Sequence, residues 1–100
     1  MKQHHLFDKK LTLDEKFSLW SSHNAYVIDL FYKFAKQAKD SGRKHFGIGA
    51  IAERVRWEVY VAHKEDEFKI NNNYRSRIAR LLVERDHSLE GFFEFRRLRS

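Results

Sequence analysis

Four polar or basic residues recur at helical spacing in the C-terminal half of the chain: Asn73, Ser76, Arg77 and Arg80. At about 100° per residue they share one helix face. The opposite face carries the apolar residues Tyr74, Ile78, Leu81 and Leu82. Asparagine pairs well with adenine and arginine with guanine, so this face predicts a helix that reads bases. The alternative is a solvated helix face on which Arg80 pairs with Glu84.

Basic residues elsewhere extend this hypothesis. Residues 1–42 contain only lysine among their basic residues, and every arginine lies between Arg43 and Arg99. Arginine forms paired hydrogen bonds with phosphate and guanine that lysine cannot reproduce. We therefore predict further nucleic-acid contacts, with DNA favoured, at Arg43, Lys44, Arg96, Arg97 and Arg99. The net charge of +6 is equally compatible with a basic surface that only keeps the protein in solution.

Sequence patterns that would indicate catalysis are weaker than those that indicate nucleic-acid binding. Glu67-Phe68-Lys69 has the acid and lysine spacing of some metal-dependent nucleases, yet no partner acid stands in a recognisable strand before it. The histidines are scattered, cysteine is absent, and no glycine-rich phosphate loop is present. We expect no enzyme activity, no bound metal and no cofactor.

The elements that would position these residues are mainly helical. Thr12 to Glu15 fits a capping box, which predicts a short helix to about Trp20. Helical spacing of apolar residues predicts a stronger helix that ends at Ser41-Gly42 and buries Leu30, Phe31 and Phe34.

A further helix follows Gly47, with its apolar residues at Ile48, Ile51, Ala52 and Val55. Beyond Val55, valines and Trp57 also alternate as in a strand, which leaves the end of that helix open. The last predicted helix follows the asparagines at 71–73 and ends near Asp86, and the segment 92–99 is the clearest strand.

The predicted fold class is mainly α with a small β element (α+β). We expect one domain over residues 1–100, with residues 1–11 as a flexible N-terminal arm. The run Ile48–Glu58 is similar to the first helix of many helix-turn-helix units, and the likeness covers about residues 22–99. The chain also resembles small phage- or prophage-encoded proteins of unassigned function, through the same run followed by the segments 68–74 and 91–96.

The resemblance to winged helix-turn-helix domains implies a three-helix core whose last helix enters the major groove, while the closing strand or reduced wing rests on phosphates. The chain differs from that pattern in its long link from Val61 to Asn71 and in its single closing strand. We therefore expect this strand to pair with Val59–Val61 or with Phe68–Ile70.

A different class of function fits the same residues. Exposed aromatic and arginine side chains are also enriched at protein interfaces, so a small phage-type inhibitor or adaptor, or a homodimer, is the competing hypothesis. An exposed apolar patch around Phe92, Phe93 and Phe95 would favour it. The N-terminus lacks an apolar signal region and no stretch could span a bilayer, so we expect a cytoplasmic protein without membrane contact.

Overall fold

The computed structural model describes residues 10–62 and 70–94. In these residues the chain is mainly helical, as predicted. The α-helices are α1 (Leu13–His23), α2 (Ala25–Asp40), α3 (Ile48–Ala62) and α4 (Arg75–Arg85). Two short strands, β1 (Phe46–Gly47) and β2 (Phe93–Glu94), and two 3-10 turns, Asn72–Tyr74 and His87–Leu89, complete the described elements.

Helix α1 begins with the predicted capping box. The Glu15 amide donates to the Thr12 hydroxyl at 3.1 Å, and the Thr12 amide donates to the Glu15 carboxylate at 2.8 Å. The helix continues past Trp20 to His23. Its aromatic side chains reach the start of α4: the rings of Phe17 and Trp20 lie 5.2 and 5.3 Å from the ring of Tyr74. Such aromatic pairs add to the free energy of burial, so they fix α1 against α4.

Helix α2 supplies much of the core. Phe31 and Phe34 are buried, which confirms two of the three predicted positions. Leu30 is only partly buried at the edge of the core, and that prediction is wrong in this respect. Around the helix axis, the buried face of α2 is centred closer to Ile28 than to Leu30. Ile28 is therefore buried, and Leu30 lies at the margin of that face.

Helix α3 is continuous to Ala62, so the strand interpretation of its second half is wrong. Val55 and Val59 are four residues apart and both fully buried, as helical spacing requires. Trp57 and Val61, the other members of the alternating pattern, are exposed.

The strands pair in parallel, with Phe46 opposite Phe93 and Gly47 opposite Glu94. The Phe46 amide donates to the Phe92 carbonyl at 2.9 Å. The expected pairing with Val59–Val61 is wrong, because those residues are helical. Most of the alternative partner, Phe68–Ile70, lies outside the described residues, as does the predicted strand beyond Glu94. A two-residue strand such as β1 is too short to produce an alternating pattern, which is why the sequence did not reveal it.

Candidate nucleic-acid interface

The solvent side of α4 and the turn before it carry part of the predicted interface. Arg80 and Asn73 are exposed, and Ser76 is half-buried. Within residues 10–62 and 70–94, Arg80 forms no ion pair, so the alternative pairing with Glu84 is not made. No acidic side chain in the described ranges therefore competes with an external acceptor for the guanidinium group of Arg80.

Arg77 has a different environment. Its Nε donates to Asp14 Oδ1 at 2.5 Å, and its Nη1 donates to the Asn73 carbonyl at 3.4 Å. The Arg77 side chain is 22% exposed, so it does not project into solvent beside Arg80 as the spacing suggested. The cause is tertiary, because the packing of α1 on Tyr74 brings Asp14 over the first turn of α4.

Arg75 connects α4 to α3 and was not predicted from the sequence. Its Nη2 lies 3.8 Å from Glu53 Oε2, and Glu53 also pairs with Arg56 at 2.9 Å. A Cβ at Gly49 would lie 3.0 Å from Arg75 Nη1, so the glycine leaves room for the guanidinium group. The Nε of Arg75 is buried and has no hydrogen-bond partner among the described residues. The sequence signal for this contact is Gly49, the one glycine within α3.

The other end of α4 is connected to α2. Arg85 pairs with Asp29 at 3.0 Å and lies over the ring of Tyr32, 5.3 Å from its centroid. Asp86 follows α4; it accepts a hydrogen bond from the Tyr32 hydroxyl at 2.8 Å and lies 3.6 Å from Lys36 Nζ.

Asp86 also caps the following 3-10 turn, because its carboxylate accepts from the Ser88 amide at 3.0 Å. The hydrogen bonds from Ser88 and Tyr32 stabilise the charged form and lower the pKa of Asp86 to about 2. The same hydrogen bond to Asp86 raises the pKa of the Tyr32 hydroxyl. The end of α4 is thus held by a charged hydrogen-bond network.

A second group of cations lies where α2 leads into α3. Lys39, Arg43 and Lys44 form this group, which we call the junction cations. Arg43 and Lys44 are exposed, and none of the three pairs with an acidic group in the described part of the chain. The Arg43 guanidinium lies 5.7 Å from the centroid of Phe46, and Lys39 Nζ lies 5.9 Å from that of Phe92. The two predicted contacts at Arg43 and Lys44 therefore lie on open surface beside β1.

The remaining predicted contacts, Arg96, Arg97 and Arg99, lie outside the described residues, and so does the segment Glu67-Phe68-Lys69. The structure thus divides the described candidates between the solvent side of α4 and the junction cations. Among the described residues, no group of three histidine or acidic side chains could hold a metal ion. None of the helices described is both long and apolar enough to cross a membrane.

The exposed aromatic side chains are not those that the sequence suggested. Phe92 and Phe93 are buried, so no exposed patch forms at these two residues, and Phe95 lies outside the described residues. Large apolar side chains are instead exposed near the end of α3, where Trp57 is 61% and Tyr60 is 57% exposed. The neighbouring Val61 is also exposed.

Comparison with known proteins finds no matching family model, and neither a curated protein nor a solved structure matches this chain.

Proposed function

We propose that this protein binds nucleic acid, with duplex DNA as the favoured target. The observation that carries the proposal is the exposure of Arg80 on α4, beside Asn73 and Ser76, without an acidic partner in the described part of the chain. A guanidinium group in that position is available for paired hydrogen bonds to guanine. In this proposal α2, α3 and α4 act as a helix-turn-helix core in a cytoplasmic protein, and α4 enters the major groove.

The junction cations would add phosphate contacts. Arg43 and Lys44 are exposed and uncompensated by described acidic groups, so they can neutralise phosphates and release counterions. Arg96, Arg97 and Arg99 would contribute in the same way from the C-terminal segment. Phosphate contacts set affinity and orientation, while contacts to base edges set sequence preference.

The test is a fluorescence-anisotropy titration with duplex DNA, single-stranded DNA and RNA at two salt concentrations. Each phosphate contact contributes about 0.9 to the slope of log affinity against log salt on duplex DNA. We expect duplex DNA to bind most tightly and to lose affinity clearly as salt increases. A salt-independent affinity, or no binding to any of the three, would contradict the proposal.

Substitutions separate base contacts from phosphate contacts. We expect Arg80→Ala to cost about 1–3 kcal/mol of binding free energy and to relax base preference. Arg97→Ala should weaken all sequences alike and lower the salt slope by about one. Arg56→Ala is the matched control, because Arg56 is a surface arginine that already pairs with Glu53. If the Arg56 variant loses as much affinity as the Arg80 variant, α4 has no special role.

The second candidate is a protein-interaction module of the inhibitor or adaptor type. The exposed Trp57, Tyr60 and Val61 favour it, since aromatic residues are enriched at protein interfaces. Sedimentation of the wild type and of a Trp57→Ser variant over a range of concentrations tests the homodimer form. A dimer that is lost on Trp57 substitution, together with no nucleic-acid binding, would favour this candidate.

A further inference from the structure

A pocket of about 330 Å³ lies between the end of α2 and the beginning of α3. Its size is within the range of small-molecule sites, which are mostly apolar with a few polar groups. Phe34, Ala38, Phe46 and Ile51 supply apolar wall, and Arg43 and Arg54 supply positive charge. We call it the α2–α3 pocket.

Both guanidinium groups of the pocket lie over aromatic rings. The Arg54 guanidinium carbon is 4.4 Å from the centroid of Phe34, and that of Arg43 is 5.7 Å from the centroid of Phe46. Stacking on a ring restricts a guanidinium group while leaving its N–H groups able to donate. The two cations are therefore partly ordered before any ligand enters.

The charge of the pocket is incompletely balanced. Arg43 forms no ion pair with a described residue, whereas Arg54 Nη1 lies 3.3 Å from Glu58 Oε1. Among the described residues that line the pocket, none is acidic. Glu58 thus competes for Arg54 from outside the pocket wall, and an anion inside the pocket would meet two arginines.

Further polar groups support an anionic ligand. Gln37 lines the pocket, and its side-chain amide can donate to an anion; Ser41 also lines the pocket, but its hydroxyl donates to the Ala38 carbonyl at 2.7 Å. Ala50 also lines the pocket and lies in the first turn of α3. Amides in a first turn lack intrahelical acceptors and carry partial positive charge, which adds to the field of the two arginines.

We propose that the α2–α3 pocket binds a phosphate monoester carried on a small aromatic group, as in a nucleoside monophosphate. The phosphate lies between Arg43 and Arg54, and the aromatic part lies against the apolar wall at Phe46. The source is either a free mononucleotide or the 5′-phosphorylated end of a strand. The proposal goes beyond the proposed function: it uses no residue of α4, and of the proposed DNA contacts it shares Arg43.

The experiment is calorimetric titration of the full chain with adenosine 5′-monophosphate, adenosine and inorganic phosphate. We expect the monophosphate to bind more tightly than either of the other two. Arg54→Ala and Arg43→Ala should each weaken its binding at least about tenfold, which corresponds to about 1.4 kcal/mol. Glu58→Gln should strengthen binding, because it removes the competing carboxylate from Arg54.

Matched controls come from the neighbouring cations. Arg56→Ala and Lys44→Ala remove the same charge from positions outside the pocket wall, and we expect them to change affinity less than twofold. Circular dichroism checks the fold of each variant. If Arg54→Ala does not fold, Arg54→Lys keeps the charge but loses the paired geometry, and it should still weaken binding.

The outcomes that overturn the proposal are specific. Adenosine binding as tightly as its monophosphate would exclude a phosphate site, as would Arg56→Ala losing as much affinity as Arg54→Ala.

Competition by 5′-phosphorylated but not unphosphorylated oligonucleotide would assign the site to strand ends. Competition by neither would assign it to free nucleotides. Arg80→Ala should leave monophosphate binding unchanged, so failure here is distinguishable from failure of the DNA-binding proposal.

Discussion

The arginines of α4 and the junction cations carry similar charge but have different surroundings. On α4, Arg75, Arg77 and Arg85 pair with Glu53, Asp14 and Asp29, which belong to three different helices. At the junction, Arg43 and Lys44 are exposed and pair with no described acidic residue. Arg75, Arg77 and Arg85 therefore connect helices, while Arg43 and Lys44 are not compensated by any described acidic residue.

This difference shows why arginine content alone is a poor guide to a binding surface. An exposed ion pair contributes only about 0.2–1 kcal/mol to stability, but it lowers the positive potential that an external anion would meet. Arg80 is the α4 arginine that resembles the junction cations, since it has no partner among the described residues. It is consequently the most informative position for the proposed function.

The largest expected effect concerns the core under the junction. Phe34→Ala should lower the free energy of unfolding by about 3–5 kcal/mol, because it leaves a cavity beneath α3 and removes the ring under Arg54. Urea unfolding followed by tryptophan fluorescence measures this change. Lys33→Ala is the control, because Lys33 is exposed and its ammonium lies 5.6 Å from the centroid of the same ring. A Phe34 variant as stable as the Lys33 variant would contradict the buried assignment.

The elements were largely predictable from the sequence, since capping and apolar periodicity are local signals. The capping box of Thr12 and Glu15 and the buried stripe with Phe31 required no tertiary information. The pairing of Arg77 with Asp14 was not predictable, because these residues are 63 positions apart and meet only through helix packing. The parallel contact of Phe46 with Phe93 is likewise a product of the assembled core.

The candidate binding residues also divide into those that local sequence predicts and those that only helix packing brings together. The exposed position of Arg80 on α4 was predictable from helical spacing alone. The α2–α3 pocket was not, since it forms only where the end of α2 meets the start of α3. Its two arginines also stand eleven positions apart in the sequence, at Arg43 and Arg54.

The next prediction concerns acid sensitivity at the end of α4. The folded-state pKa of Asp86, about 2, is below its ordinary value of 3.8, so its charged form favours folding above pH 3.8. That contribution is lost as the pH falls from 3.8 through about 2. We expect Asp86→Asn to reduce the change in melting temperature between pH 5 and pH 2.

The control for this pH dependence is Asp40→Asn. Asp40 is 71% exposed, and its described ion pair is a 4.0 Å contact with Lys36. Removing its charge should therefore leave the acid sensitivity close to that of the wild type. Equal acid sensitivity of the wild type and the Asp86 variant would show that the network at the end of α4 does not stabilise the fold.

A smaller effect tests whether Arg75 holds α3 against α4. Alanine is favoured over glycine in a helix by about 0.5–1 kcal/mol. In the wild type, however, a Cβ at Gly49 would lie 3.0 Å from Arg75 Nη1, so the guanidinium group would have to shift to make room. Gly49→Ala should therefore stabilise the protein more in an Arg75→Ala background, with a coupling energy of about 0.5 kcal/mol. Additive effects in this double-mutant cycle would mean that Arg75 moves aside freely.

The smallest expected effect on stability comes from Asp14→Asn, and it bears directly on function. Asp14 is 78% exposed, so loss of its pair with Arg77 should cost about 0.2–0.5 kcal/mol. The same change frees Arg77 beside Arg80. If α4 is the DNA-reading helix, duplex affinity should increase, and the increase should disappear when Arg77→Ala is added.

The matched control is Asp29→Asn, which removes the same charge and releases Arg85 at the opposite end of α4. Both variants raise the net charge by one, so a general electrostatic effect would strengthen DNA binding equally in the two. A specific role for the start of α4 requires a larger gain for Asp14→Asn, because only that change frees an arginine on the proposed reading side. Equal gains would instead mean that Arg77 contributes to DNA binding no more than any other surface cation. The main role of Arg77 would then be its structural contact with α1.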